Sequence, residues 1–220
     1  MQIVKLSLAE QARNALLEEI VSGNLTAGMR LTEESLSAQL GISRTPVRDA
    51  LLRLEADGLI ERHSSRGFQV KKLDIEAVDE LLQCRTEVEM NIFNCCYDAI
   101  SYESLQELQQ ELRALDPAAP EAWIEARKLD DALHNIINDA CSNRYWRDIH
   151  RKLLQQRLPY RDIRNNSNPT WVEALKKERL ALLEQLLSGN RQWAAQALFK
   201  HLEAGRKYIL EAMQKQSANL

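Results

Sequence analysis

One stretch of thirteen residues, Gly41 to Arg53, constrains the fold of this chain more than any other. Ser43 is suited to the N-cap of a helix, where its hydroxyl can accept a hydrogen bond from an unpaired amide. Pro46 is tolerated in the first turn because the amides there have no partner within the helix. Apolar residues then follow at the spacing of one buried helical face: Val47, Leu51 and Leu54. The stretch therefore predicts a turn that leads into an amphipathic helix.

The polar side of this helix concentrates positive charge at its N-terminal tip. Arg44 and Arg48 lie there beside the hydroxyl of Thr45. A helix N-terminus binds phosphate through its amides, and an arginine can read the edge of a guanine. We interpret the tip as the recognition helix of a helix-turn-helix that contacts double-stranded DNA. Arg53, farther along the helix, is expected to lie in solvent.

The segments before the recognition helix predict two further helices. Ser7 and Glu10 form the capping-box pattern of a first helix that ends near Gly23. Thr32 can cap a short second helix that closes at Gly41. This order of helices, with a glycine turn before the last one, is typical of a helix-turn-helix.

A hairpin is predicted directly after the recognition helix. Residues 59–70 contain two short strand patterns around a basic tip that includes Arg66 and Gly67. A hairpin in this place is a wing, and we expect its tip to contact DNA. A glycine at the tip can also serve only the geometry of the turn. Arg30, ahead of the second helix, either contacts phosphate or serves only the fold.

The chain from Asp74 onward has the pattern of consecutive helices. Its apolar periodicity predicts six of them, near residues 75–99, 102–115, 120–140, 144–164, 170–188 and 190–215. We therefore expect a mostly α-helical protein with two domains. These are an N-terminal winged helix-turn-helix, residues 1–72, and a C-terminal all-α helical bundle for effector binding and dimerisation, residues 73–220.

Charge and cysteine content narrow the class of function. Residues 1–72 carry ten Lys and Arg against nine Asp and Glu, and the whole chain has a net charge of −3. DNA contact must therefore come from a local patch rather than from an overall basic charge.

The four cysteines lack paired spacing and are expected to be buried free thiols of a reducing cytoplasm. No apolar run approaches the ~18 residues that span a bilayer, so we expect a cytoplasmic protein without a membrane partner.

The N-terminal segment resembles the GntR family of bacterial transcription regulators. The family pattern appears as Ala27-Gly-Met-Arg-Leu-Thr-Glu33 and Ser43-Arg-Thr-Pro-Val-Arg-Asp-Ala-Leu51, followed by residues 54–59 and a wing glycine. The resemblance implies DNA contact for the wing residues Arg66 and Gly67 and for Arg30, Ser43, Arg44, Thr45 and Arg48. We therefore expect a homodimeric, ligand-responsive repressor that binds a near-palindromic operator.

The helical remainder resembles the FCD effector domain of the subgroup typified by the fatty-acid-responsive regulator. Matching features are Leu82-x-x-Arg85-x-x-x-Glu89, Asp130-x-x-x-His134 and His201 in the last helix. FCD domains usually hold a divalent metal, such as zinc, with one Asp and three His, and bind a small carboxylate beside it. The resemblance thus implies an effector site around Arg85, Asp130, His134, Arg179 and His201.

The chain departs from this family pattern at one metal ligand. Where the family has a histidine after glutamate, this sequence has Glu178-Arg179. A guanidinium has no lone pair for a metal, and its charge repels a cation. We therefore disfavour a metal, and expect Arg179 either to pair with Asp130 or to bind the anionic end of an effector. A retained metal would rest on the three remaining ligands, Asp130, His134 and His201.

Two alternatives to a ligand-responsive regulator stay open at this stage. In the first, Arg179 is satisfied internally and the helical domain serves dimerisation only. In the second, the helical domain is a small metal-dependent enzyme, although it lacks an evident general base. Arg85 also has two interpretations, as an anion contact or as the i, i+4 partner of Glu89.

Overall fold

A computed structural model of the chain describes residues 6–63, 67–157 and 168–217. The described residues form two compact units. The first contains the residues up to Val78 together with residues 152–157, and the second contains residues 79–151 and 168–217. Helices dominate both units, and one small sheet belongs to the first, so the predicted fold class is confirmed.

The helices of the first unit begin and end where local capping dictates. In chain order they are α1, Leu8–Val21; α2, Glu33–Leu40; and α3, Arg44–Ala56. Ser7 and Glu10 make both hydrogen bonds of a capping box at the start of α1. Thr32 accepts a hydrogen bond from a first-turn amide of α2, and Gly41 ends that helix with a φ of 66°. The three predicted helices are therefore confirmed.

Ser43 departs from its predicted role in one respect. It occupies the N-cap of α3 with extended backbone angles, as predicted, but its side chain makes no capping hydrogen bond. The prediction that its hydroxyl pairs with an amide of the first turn is therefore wrong. The first-turn amides of α3 are left without this side-chain acceptor.

The wing belongs to a three-stranded antiparallel sheet. Its strands are β1, Arg30–Leu31; β2, Ile60–His63; and β3, Gly67–Val70, with β3 in the middle. The hairpin of β2 and β3 was predicted, whereas β1 was not, because two residues are too few to show an alternating pattern. Gly67 has a φ of 87°, and a Cβ there would lie 2.8 Å from the carbonyl oxygen of Leu31. The fold therefore requires glycine at this position.

One apolar core joins the helices and the sheet of the first unit. The predicted face of α3 is fully buried, because Val47, Leu51 and Leu54 are each 0% exposed. The other contributors from α1 and the strands include Leu16, Ile20, Leu31, Ile60, Phe68 and Val70. The core fixes α3 by one face and leaves its polar face to solvent.

Six further α-helices follow in the described part of the chain. They are α4, Ile75–Cys96; α5, Tyr102–Ala114; α6, Ala122–Asp139; α7, Arg144–Gln156; α8, Pro169–Leu187; and α9, Arg191–Ser217. The helix predicted near 75–99 ends three residues earlier, at Cys96, and a short 3-10 helix, Tyr97–Ala99, follows it. The end of the predicted helix 144–164 lies outside the described residues. None of the described helices is both long and apolar enough to span a bilayer.

Helix α8 is the central helix of the second unit. It packs against α5, α6 and α9. Asn168 caps its start by accepting a hydrogen bond from the amide of Thr170, and Pro169 occupies its first turn. This packing places the middle of α8 beside α6 and α9, where the candidate effector residues lie.

The cysteines differ in part from the sequence expectation. All four are free thiols, but Cys84 and Cys95 are exposed on α4, Cys96 is half-buried, and only Cys141 is buried. The prediction of free thiols is confirmed, and the prediction that they are buried is wrong for the two exposed residues. Spacing alone did not reveal which face of α4 packs inward.

Candidate functional site

The polar face of α3 carries exposed arginines that are only loosely held by the protein. The side chains of Arg44 and Arg48 are 64% and 63% exposed. Arg44 Nη2 lies 3.0 Å from Glu34 Oε1, and Arg48 Nε lies 3.9 Å from Glu33 Oε1. Exposed ion pairs contribute only about 0–1 kcal/mol. Both guanidinium groups can therefore exchange these carboxylates for phosphates at little cost.

The other residues predicted to contact DNA are also exposed where the structure describes them. Ser43 and Thr45 lie beside Arg44 at the start of α3. Arg30 is exposed on β1, and Gly67 is exposed at the start of β3. Arg66 lies outside the described residues. Their contacts with DNA stay predictions, and for Gly67 the backbone conformation already gives a structural reason for glycine.

In the second unit, three predicted site residues meet in one buried cluster. Asp130 and His134 lie on the same face of α6, and His201 comes from α9. All three are buried, and one potential ligand atom from each lies within 4.8 Å of the others. We call Asp130, His134 and His201 the inner cluster. Its donor atoms are of the kinds that bind a divalent metal.

Arg179 of α8 contacts the inner cluster directly. Its Nε donates to Asp130 Oδ1 at 2.9 Å, and its Nη1 donates to the carbonyl oxygen of Leu175 at 3.3 Å. The same Nη1 lies 3.5 Å from Glu178 Oε2. Of the two roles that the sequence left open for Arg179, the pairing with Asp130 is present. No described residue accepts a hydrogen bond from Arg179 Nη2.

Arg85 of α4 also contacts the inner cluster and determines the tautomer of His134. Its Nη2 lies 2.8 Å from His134 Nε2 and 3.5 Å from Glu89 Oε2. Since a guanidinium only donates, His134 Nε2 must accept, and the ring proton lies on Nδ1. That Nδ1 donates to Glu89 Oε1. Arg85 therefore makes both the i, i+4 pair with Glu89 and a contact with the candidate site.

Glu89 is a buried carboxylate whose importance the sequence did not reveal. It accepts hydrogen bonds from His134 Nδ1 and from His150 Nε2, the latter at 3.0 Å. Burial raises the pKa of Glu89, but the charge of Arg85 and the hydrogen bonds from His134 and His150 hold the pKa well below its usual 4.5. His150, which the family pattern did not include, is thus a buried part of the same network.

The environment of His134 favours the neutral ring. Burial lowers its pKa from the usual 6.5 to about 4, and this outweighs the raising effect of Glu89, while the charge of Arg85 lowers the pKa further. The ring is therefore neutral at pH 7, in agreement with its acceptance of a hydrogen bond from Arg85.

Glu178 orients the second histidine. His201 Nδ1 donates to Glu178 Oε1 at 2.9 Å. His201 Nε2 faces the cluster, 3.4 Å from His134 Nε2 and 3.5 Å from Asp130 Oδ1. Burial raises the pKa of Glu178, but the hydrogen bond and charge of His201 and the charge of Arg179 lower it overall. Glu178 was recognised only as part of the family pattern, because the sequence did not show that it contacts His201.

The two units together define a class of protein. A winged helix-turn-helix with exposed arginines on its recognition helix, followed by a helical domain with an internal polar cluster, is the architecture of a DNA-binding transcription regulator. Residues 8–70 match the model of the bacterial regulatory proteins, gntR family, and residues 80–204 match the FCD domain. The chain belongs to the GntR family of bacterial transcription regulators, with the FadR-like combination of a GntR and an FCD domain.

Several relatives share both parts of the chain. The uncharacterized HTH-type transcriptional regulator YdhC of Bacillus subtilis is 24% identical over 211 residues, which are 95% of this chain and 94% of that protein. The HTH-type transcriptional repressor RspR of Escherichia coli is 24% identical over 214 residues, 94% of this chain and 91% of that protein. The solved structure of Escherichia coli McbR has the same fold, with a TM-score of 0.79, 22% identity, and coverage of 94% of this chain and 99% of that one. The family and these relatives are transcription regulators, so the metal-dependent enzyme is excluded as the function.

Proposed function

We propose that this regulator is a ligand-responsive repressor that acts in the cytoplasm and binds a near-palindromic operator as a homodimer. A two-fold dimer presents two copies of α3 to successive major grooves, so the operator must have matching symmetry. Arg44 and Arg48 contact base edges and phosphates. Ser43, Thr45 and the first-turn amides position the DNA backbone. This assignment is supported by the exposure of both arginines and by their weak pairing with the α2 glutamates.

The residues outside α3 have supporting roles in this proposal. Arg30 contacts phosphate from β1, and the wing residues Arg66 and Gly67 approach the minor groove. Phosphate contacts determine position, whereas base contacts determine sequence preference. Substitutions at Arg30 or Arg66 should therefore weaken binding to all sequences alike, and substitutions at Arg48 should change the preference.

We propose a small carboxylate as the effector, bound at Arg85 and Arg179 beside the inner cluster. The observation that carries this proposal is a buried donor of Arg85 that lacks an acceptor. The residue is only 5% exposed. Its Nε has no hydrogen-bond partner among the described residues. An unpaired buried donor costs about 1–3 kcal/mol, which an incoming carboxylate would recover. Arg179 Nη2, without an acceptor among those residues, offers a second donor to the same anion.

The effector lowers operator affinity only as far as it prefers an arrangement of the dimer that does not fit the operator. By linkage, operator DNA must then weaken effector binding by the same factor. The two affinities can be measured separately, so this reciprocity is a check on the proposal that does not require the effector-bound structure.

A thermal-shift screen against a library of mono- and dicarboxylates tests the effector proposal. We expect at least one carboxylate to raise the Tm and to release a bound operator fragment. Arg179→Gln should lose this shift, whereas Lys177→Gln, at an exposed position on the same helix, should keep it. If no carboxylate raises the Tm of a protein that binds its operator, the helical domain serves dimerisation only and the effector proposal is wrong.

A further inference from the structure

We propose that the guanidinium of Arg179 takes the place of a divalent metal in the inner cluster, so that this FCD domain is independent of metal. The inference concerns which cation the cluster holds. It does not depend on whether a carboxylate effector binds beside it.

The inner cluster retains the frame of a metal site. Histidines that bind a metal usually donate their other ring N–H to a carboxylate, which fixes the tautomer and turns the free nitrogen toward the metal. Both histidines have this arrangement here. Glu89 accepts from His134 Nδ1 and Glu178 accepts from His201 Nδ1, while both Nε2 atoms point into the cluster. The frame alone would therefore suit a metal.

Two of the potential ligand atoms already accept hydrogen bonds from arginines, which opposes metal binding. Asp130 Oδ1 accepts from Arg179 Nε at 2.9 Å, and His134 Nε2 accepts from Arg85 Nη2 at 2.8 Å. A lone pair that accepts an N–H is not available to a metal while the donor stays in place, and a guanidinium does not lose its proton in a protein. Two fixed positive charges at hydrogen-bonding distance also repel a divalent cation. The described residues therefore do not fit a metal.

Arg179 supplies what a metal would otherwise supply to Asp130. The carboxylate is almost fully buried, and a buried charge without a partner is strongly unfavourable. The ion pair with Arg179 compensates the charge of this carboxylate and holds it in place beside His134 and His201. The cation of this site is thus covalently part of the chain and cannot be removed by a chelator.

Measuring metal binding by the natural protein and by the Arg179→His variant tests this inference directly. The variant removes the charge of Arg179 and completes a set of one carboxylate and three imidazoles. Arg85 can give up His134 Nε2 to the metal in this variant, because it keeps its ion pair with Glu89. Lys177→His is the matched control, because it adds a histidine at an exposed position on the same helix. Elemental analysis of the purified proteins and calorimetric titration with Zn²⁺ give the stoichiometry and affinity, and thermal shifts with and without Zn²⁺ report the effect on stability.

We expect the natural protein and Lys177→His to hold no stoichiometric metal and to show no chelator-sensitive Tm. Arg179→His should bind one Zn²⁺ at least about 100-fold more tightly, since loss of even an outer-shell partner costs about 10–100-fold in affinity. Adding Asp130→Asn to Arg179→His should abolish this gain. Arg179→Cys, which offers a thiolate at the same place, replaces Arg179→His if that variant does not fold.

Either of two results would overturn the inference. One is stoichiometric metal in the natural protein that is lost on Asp130→Asn. The other is a folded ligand-restoring variant that binds Zn²⁺ no more tightly than Lys177→His, because Arg179 would then not be what excludes the metal. Neither readout involves a carboxylate or DNA, so the effector proposal stands or fails separately.

Discussion

At the scale of single residues, the same side-chain chemistry serves two purposes in this protein. The exposed guanidiniums of Arg44 and Arg48 are weakly paired and available to DNA. The buried guanidinium of Arg85 and the largely buried guanidinium of Arg179 are paired with carboxylates and stabilise the polar interior of the helical unit. Burial rather than residue type distinguishes the two roles, because a buried ion pair cannot exchange its partner for water.

Arg48→Ala is expected to abolish the sequence preference while leaving the fold intact. Loss of a bidentate base contact costs about 1–3 kcal/mol, roughly 5–150-fold in affinity, and the proposed dimer loses this contact in both halves of the operator. The free energy of unfolding should hardly change, because the side chain is exposed and its nearest carboxylate is 3.9 Å away. Fluorescence anisotropy with operator and scrambled DNA at one salt concentration measures the effect.

Arg53→Ala is the matched control for this change, since Arg53 lies on the same helix and pairs with Glu10 at 3.8 Å. We expect it to bind operator nearly as well as the natural protein. If Arg48→Ala still discriminates between operator and scrambled DNA as well as the natural protein does, α3 does not read the bases as proposed.

The sequence revealed some of these residues and not others for a physical reason. The exposed arginines could be predicted because a proline, a cap and apolar spacing fix the helix that carries them. Glu89 could not be predicted as a network centre, because its partners His134 and His150 lie 45 and 61 residues away. Arg179 was predictable only by resemblance, as a departure from the family pattern.

At the scale of elements, Glu89 joins three helices through one carboxylate. Glu89 and Arg85 belong to α4, His134 belongs to α6, and His150 belongs to α7. Glu89→Gln leaves the charge of Arg85 buried without its partner, which typically costs about 3–5 kcal/mol. Urea unfolding should therefore show a large loss of stability. Glu87→Gln, an exposed change on the same helix, should be close to neutral, and an equal loss in both variants would contradict the role of Glu89.

The same network predicts loss of stability in mild acid. The pKa of His134 is about 4 in the folded protein against an ordinary 6.5. Between these values the unfolded chain binds a proton that the folded chain does not, so stability falls as the pH decreases, by at most about 1.4 kcal/mol per pH unit for one such group. The lowered pKa of Glu89 acts in the same direction below its usual 4.5.

Nitrogen NMR of the histidine rings tests this pH dependence, because it reports which ring nitrogens of His134 carry a proton. We expect His134 to carry its proton on Nδ1 alone from pH 7 down to at least pH 5, and urea unfolding to report lower stability at pH 5 than at pH 7. A His134 ring that is protonated on both nitrogens at pH 6 would contradict the assignment.

Element boundaries were predictable wherever a local cap sets them. Ser7 and Thr32 start helices within the first unit, and Asp74 accepts a hydrogen bond from the amide of Ala77 at 2.8 Å at the start of α4. Strand β1 was not predictable, because Arg30–Leu31 is a strand only through its pairing with β3, far along the chain. A helix cap depends on residues a few positions apart, whereas strand pairing depends on residues that are distant in the sequence.

At the scale of the whole molecule, charge limits how this regulator can find its site. A net charge of −3 gives little general attraction to DNA, so binding must depend on the exposed patch of α3 and, in the proposed dimer, on the second copy of that patch. Since phosphate contacts make affinity strongly dependent on salt, specific and non-specific binding must be compared at the same ionic strength.

Selection of bound fragments from random double-stranded DNA, at physiological salt, is the most direct test of operator recognition. We expect enrichment of a near-palindromic sequence that the natural protein prefers over a scrambled competitor, and loss of that preference in Arg48→Ala. If no sequence is enriched over the scrambled competitor, in the presence or absence of small carboxylates, the protein does not read DNA as proposed here.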